Sequence, residues 1–171
     1  MATSTLSNPV NALVEGKVNF IRAAWDRLSP LPGGKILFSK FVGRAAPYTG
    51  SIDGRVEVLE RGYAKVSMRD RKAVRNHLDC VHAIALLNLA ELTGNLALSY
   101  TLPDDARFIV AGMSIDYVKK ARGTIFGECR VPPVESSERR EYEVFVELKN
   151  LSGEVVATST LRTLVGPKKG A

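Results

Sequence analysis

One stretch restricts the fold of this chain more than any other. Ala83–Leu98 reads AIALLNLAELTGNLAL, and its alanines and leucines favour a helix. Nearly every face of that helix, which extends to about His82–Tyr100, is apolar, so other elements must enclose it. Asn88, Glu91 and Asn95 interrupt the run, and no apolar stretch of the sequence approaches the ~20 residues of a membrane span. Gly94 offers a place for another segment to approach closely.

The flanking sequence supplies the enclosure. From Ser51 the apolar residues recur with period two: Ile52, Gly54, Val56 and Val58 alternate with Arg55, Glu57 and Leu59, and Glu60-Arg61-Gly62 turns the chain into Tyr63–Met68. Four extended segments follow the helix, at about Arg107–Lys119, Thr124–Val131, Arg140–Asn150 and Glu154–Val165. Tyr142, Val144, Val146 and Leu148 alternate as in an antiparallel strand with one covered face. Lys120–Gly123 and Lys149–Gly153 are short, glycine-bearing connections suited to hairpins. An antiparallel sheet wrapped around one long helix is the α+β hotdog architecture. Ahead of it, Asn8 and Pro9 suit the start of an amphipathic helix reaching Leu28, with Val10, Leu13, Val14, Val18, Ile21, Trp25 and Leu28 on one face. Ser29–Gly34 ends that helix, and Gly34–Gly43 is expected to turn Ile36, Leu37, Phe38 and Phe41 inward. The expected organisation is a helical extension over 1–50, a hotdog domain over 51–167 and a tail at 168–171, within the size range of one domain.

The chemistry gathers on the central helix. At 100° per residue, Asn88, Glu91 and Asn95 fall within about 60° of one another. An unpaired buried carboxylate is costly, so Glu91 needs a partner, a raised pKa or access to a cleft. A structural glutamate bonded to nearby backbone is the plain alternative. Unpaired N–H groups at the helix start, Ala83 first, can stabilise developing negative charge as an oxyanion hole. Asn76 and His82 stand just before it, placed to orient a carbonyl or shape the cleft; a loop-bonded helix-entry residue is the plain reading of His82. His77 and Asp79 read as loop surface, and Cys80 as packing.

The net charge of +6 favours an anionic partner without choosing one. No basic stripe with interleaved aromatics and no nucleic-acid-binding motif occurs, so nucleic acid is not the expected partner. The cations form short groups: Arg69, Arg71, Lys72 and Arg75, then Lys119, Lys120 and Arg122, then Lys168 and Lys169. Cys80 and Cys129 form neither a disulfide framework nor a metal-ligand spacing. The amino-terminal residues lack the pattern of a secretory signal, and a cytoplasmic setting is expected.

The run NHLDCVHAIALLNLAE, Asn76 to Glu91, resembles the PaaI-like hotdog thioesterases, in a branch known mostly as domains of unknown function. The family carries Asn, then His six residues later followed by a small residue, then a helical acid eight residues beyond the small one; Asn76, His82, Ala83 and Glu91 match. MSIDYVKKARGTIFGECRV from Met113 resembles its third strand, tight turn and fourth strand. The resemblance covers about Ser51–Val165. It implies hydrolysis of acyl-CoA or a similar thioester, with Glu91 as general base or nucleophile, the Ala83 N–H polarising the carbonyl, and Asn76 and His82 shaping the entry loop. Asn88 and Asn95, the two amides on the face of Glu91, are expected to bind substrate. The family often has Gly where Ala83 and Ile84 stand; Ala83 keeps its N–H, whereas Ile84 narrows the approach. Ser114 and Thr93 are candidates for a residue that assists the carboxylate in some members.

Ala83 and Glu91 stand eight residues apart, about 12 Å along a helix axis. One carbonyl cannot meet both on one helix, so the mechanism calls for a homodimer, consistent with the family's double hotdog; a further pairing of dimers is left open. Arg75, Lys119, Lys120 and Arg122 are candidate partners of the CoA phosphates. No metal or redox cofactor is expected, coenzyme A entering as part of the substrate. The alternatives are a non-catalytic acyl-CoA-binding hotdog protein and hydratase chemistry through His82.

Overall fold

The computed structural model describes residues 16 and 18–168. In chain order it contains helices α1 (Phe20–Leu28), α2 (Gly34–Ala45) and a single-turn α3 (Pro47–Gly50), strands β1 (Arg55–Glu60) and β2 (Tyr63–Met68), helix α4 (Ala83–Thr101), and strands β3 (Ala106–Tyr117), β4 (Ile125–Arg130), β5 (Arg140–Lys149) and β6 (Val155–Pro167). The strands form one antiparallel sheet in the order β1-β2-β4-β5-β6-β3. α4 touches all six strands. The hotdog fold read from the sequence is the fold of the protein. Among the described residues no helix is long and apolar enough to cross a membrane.

The apolar composition of α4 is satisfied from the sheet side. Leu89, Ala90, Thr93 and Ala97 are fully buried. Gly94 sits against Val144, Val146 and Leu161, where a methyl group would be crowded. On the sheet, Gly127 of β4 lies directly beneath Thr93, whose hydroxyl is held by the Leu89 carbonyl at 2.7 Å. A β-carbon at 127 would overlap that hydroxyl, and a buried, bonded threonine has little freedom to move aside. Gly127→Ala is therefore expected to cost about 1–3 kcal/mol through overpacking, read as a lower urea midpoint at unchanged slope.

The two edges of the sheet are treated differently. β1 is covered by the extension: the Val56 N–H donates to Ser39 Oγ at 2.9 Å, and Lys35 Nζ donates to the Glu57 carbonyl at 2.6 Å. Edge strands left open invite pairing with another chain, and such cover prevents it. β3, the other edge, pairs only with β6.

Four expectations change. The helix expected over Pro9–Leu28 is not continuous: a helix begins at Phe20, because Asn19 leaves helical geometry to cap it. Asn19 accepts from the Arg22 N–H and donates through Nδ2 to the Ser99 and Leu102 carbonyls, so contacts with α4 set the start. The proposed cap and first turns at Asn8–Val14 lie outside the described residues. In α2 Phe38 is fully buried against Trp25 and joins the core, while Ile36 and Leu37 are exposed, because the helix also covers a sheet edge. In β1 a bulge between Val56 and Val58 reverses the alternation, so Leu59 is buried where Val58 was expected. Finally, residues 118–124 are no hairpin: β3 and β4 lie on opposite sides of β5 and β6, and the connection crosses the end of the sheet. The Asn150–Gly153 turn does join neighbouring strands. Lys168, placed with the tail, is buried and donates to the Gly16 carbonyl.

Candidate active site

The approach to α4 is a tight loop organised by Asn76. Its Oδ1 accepts the Leu78 N–H at 2.9 Å and its N–H donates to the Cys80 carbonyl at 2.9 Å, while Asp79 adopts φ 51° to complete the turn. Asn76 therefore shapes the loop. The chain then enters α4 through His82, whose N–H donates to the Val74 carbonyl at 2.8 Å. His82 is the helix cap: its Nδ1 accepts the Ile84 N–H at 3.1 Å. That bond consumes one orphan donor of the first turn and leaves the Ala83 N–H without a protein acceptor among the described residues. The Ala83 carbonyl accepts the Tyr117 hydroxyl at 3.1 Å, tying the helix start to the end of β3.

The 118–124 crossover passes this entrance. The Val81 N–H donates to the Ala121 carbonyl at 2.8 Å. Asp70 clamps the two loops together, accepting Arg75 Nε on one oxygen at 2.6 Å and the Gly123 N–H on the other at 2.9 Å. The bonded Arg75 guanidinium and the Gly123 N–H hold this carboxyl below its usual range against the opposing effect of burial. Arg122 Nε donates to the Asp79 carbonyl at 3.3 Å. Two basic groups far apart in sequence thus meet at one rim. Arg75 there is committed to Asp70, Lys119 pairs with Glu154 at 2.8 Å, and Lys120 is exposed with no bonded partner among the described residues.

The polar stripe of α4 divides into three environments. Asn88 is buried under α3, its Nδ2 donating to the Tyr48 carbonyl at 3.0 Å. Glu91 is half-buried and makes no hydrogen bond or ion pair among the described residues. Asn95 lines a cavity beyond it, its buried Oδ1 also unpartnered. Asn76, His82, Ala83, Arg75 and Arg122 are gathered at the helix entrance; Glu91 stands two turns away on the same helix. Thr93 is spent on the helix backbone beneath the sheet. Cys80 donates its thiol to Asn76 Oδ1 at 3.4 Å, and burial pushes the Cys129 thiol up to about 12, so neither is set up as a nucleophile.

Sequence reasoning missed Asp70 and Tyr117. Asp70 did leave a trace, as the single acid within the basic run Arg69-Asp70-Arg71-Lys72. Tyr117 left none, because its partner lies 34 residues away.

The family described as a domain of unknown function (DUF4442) matches residues 34–165. Among solved structures, a protein from a genomics programme is 28% identical, the match covering 86% of this chain and 99% of that one with a TM-score of 0.76. A Pseudomonas aeruginosa protein of unknown function, termed a probable thioesterase, is 26% identical, with 80% and 97% covered and a TM-score of 0.70. A thioesterase family protein from Silicibacter pomeroyi shares the fold at 14% identity, with 75% and 96% covered and a TM-score of 0.65. No curated protein matches the chain.

Proposed function

The chain belongs to the DUF4442 family, and from that premise and the geometry of α4 we propose that it hydrolyses acyl thioesters, acyl-CoA foremost. One observation carries the reading: the fold leaves unused both a carboxylate, Glu91, and a helix-terminal donor, the Ala83 N–H, on the helix that the sheet encloses. The name of the Pseudomonas aeruginosa relative points the same way.

In the proposed reaction Glu91 takes a proton from water, and the oxygen adds to the thioester carbonyl. The negative charge that forms on the carbonyl oxygen is held by the Ala83 N–H at the positive end of the helix. Collapse breaks the carbon–sulfur bond, and the proton carried by Glu91 goes to the departing thiolate. Direct attack by Glu91, giving an anhydride that water then opens, uses the same two groups.

The two groups act on one carbonyl only if they come from different protomers, being eight residues apart, about 12 Å on one helix. The open edge of β3 supports this assembly. It is twelve residues long, with Ile109 67%, Met113 42% and Tyr117 48% exposed along it. Antiparallel pairing of β3 with its copy sets the first residues of one strand beside the last residues of the other. Because Tyr117 is bonded to the Ala83 carbonyl, such pairing carries the partner's Ala83 toward the Glu91 side of the first protomer.

The test is thiol release by the full chain from a panel of acyl-CoA thioesters. Turnover is expected. No turnover on any of them, with acyl-CoA still bound, would instead make the protein an acyl-CoA carrier or sensor. The basic rim has its own expected result. Lys120→Ala with Arg122→Ala should raise KM for acyl-CoA about tenfold while changing kcat less than twofold, each lost phosphate contact being a charge-assisted bond. Lys119, already paired with Glu154, should contribute less. An unchanged KM would remove these residues from CoA binding.

A further inference from the structure

One helical turn past Glu91 a cavity of about 370 Å³ opens between the helical extension and the second half of α4. Leu92 and Leu96 of α4, Phe20 of α1, Phe41 of α2 and Phe108 of β3 form its walls. The polarity falls off along α4: the carboxylate of Glu91, the amide of Asn95 with its unpartnered Oδ1, then Leu96, the small hydroxyl of Ser99 and Leu102. An acyl thioester has the same order, a polar reacting head followed by a hydrocarbon tail. Arg107 and Lys168 also line the cavity, and the Lys168 ammonium is held by the Gly16 and Val18 carbonyls.

We infer that this cavity takes the acyl tail, and that the substrate class is an unbranched aliphatic acyl thioester of about ten to twelve carbons. The inference rests on the thioester-hydrolase reading, which places the scissile carbonyl beside Glu91. Length decides the class. Asn95 and Leu102 are seven residues apart, about 10 Å along the axis and the reach of about eight extended carbons. The turn between Glu91 and Asn95 accommodates the first few. A two- to four-carbon acyl group would stop short of the aromatic walls. A sixteen-carbon chain would reach beyond Leu102, where α4 ends. The volume lies at the small end of ligand pockets, roughly 300–1,000 Å³, as a single chain requires. Phe20, Phe41 and Ala45 of the extension line the cavity, so the part of this protein that precedes β1 shares in the selectivity with α4 and β3.

The experiment is a chain-length ladder of butyryl-, octanoyl-, decanoyl-, dodecanoyl- and palmitoyl-CoA, run on the full chain and on two variants that fill the cavity from opposite walls. Ser99→Leu acts from α4 and Ala45→Leu from α2; both residues line the cavity, and leucine suits either helix. The wild type is expected to peak at ten to twelve carbons, with kcat/KM rising about fourfold per buried methylene. Each variant should lose at least about tenfold on dodecanoyl-CoA and stay within about twofold on butyryl-CoA. A wild-type profile that is flat or favours butyryl-CoA overturns the inference, as does a profile unmoved in either variant that retains the native circular dichroism. If no thioester is hydrolysed, the hydrolase reading fails separately, and calorimetric titration with decanoyl-CoA decides the cavity: affinity reduced about tenfold in Ser99→Leu supports it, and equal affinity overturns it.

Discussion

Glu91→Gln is expected to lower kcat for acyl-CoA hydrolysis by about a thousandfold while leaving the protein folded. The size follows from removing a general base, which contributes about 10²–10⁴ in rate, and more if the carboxylate is the nucleophile. The unchanged stability follows from the surroundings. Glu91 has no ion pair or hydrogen bond to lose among the described residues, and it is only half-buried. An isosteric amide there should alter stability by less than about 0.5 kcal/mol. Steady-state kinetics and a thermal melt on the same preparation separate the two effects. A kcat within tenfold of wild type would take Glu91 out of the chemistry, whatever the family resemblance suggests.

Ala83→Pro is expected to lower kcat by about 10²–10³, the usual loss of an oxyanion donor, again without unfolding. Proline deletes one N–H, and at the first position of a helix that N–H has no intrahelical partner. The backbone is already suitable: His82 has φ −64° and ψ 140°, the extended conformation that a residue before proline prefers. The two variants together test where the site lies. In a one-to-one mixture of reassociated Glu91→Gln and Ala83→Pro protomers, mixed dimers hold one site with both native groups. About a quarter of wild-type activity should return, since half the dimers are mixed and each has one intact site. A site made within one chain would give no recovery, because every protomer lacks one of its groups.

The long helix was legible because its signal is local and repeated: composition, period and a capping residue all lie within Asn76–Leu102. The hotdog sheet was legible from alternation in β5. Elsewhere the sequence misled where a long-range contact overrode a local pattern. Nothing in Val56–Leu59 marks the bulge that buries Leu59. The apolar spacing up to Leu28 reads as one helix, yet a new helix is capped at Asn19, because α4 offers that side chain the Ser99 and Leu102 carbonyls. A glycine-bearing run after β3 looked like a hairpin, although strand order sends it across the sheet.

Glu91 shows the division most clearly. By itself the sequence determined that one charge would ride on an enclosed helix, eight residues from that helix's first N–H, because periodicity and rise per residue are properties of any α-helix. Only the tertiary structure decided that, among the described residues, this carboxylate stays unpartnered, that Asn88 gives its Nδ2 to α3, and that His82 takes the Ile84 N–H and leaves the Ala83 N–H free. It likewise decided that β1 is covered and that β3, among the described residues, is an open edge. Those outcomes depend on which groups compete for each donor and acceptor, and the competitors come from segments tens of residues apart.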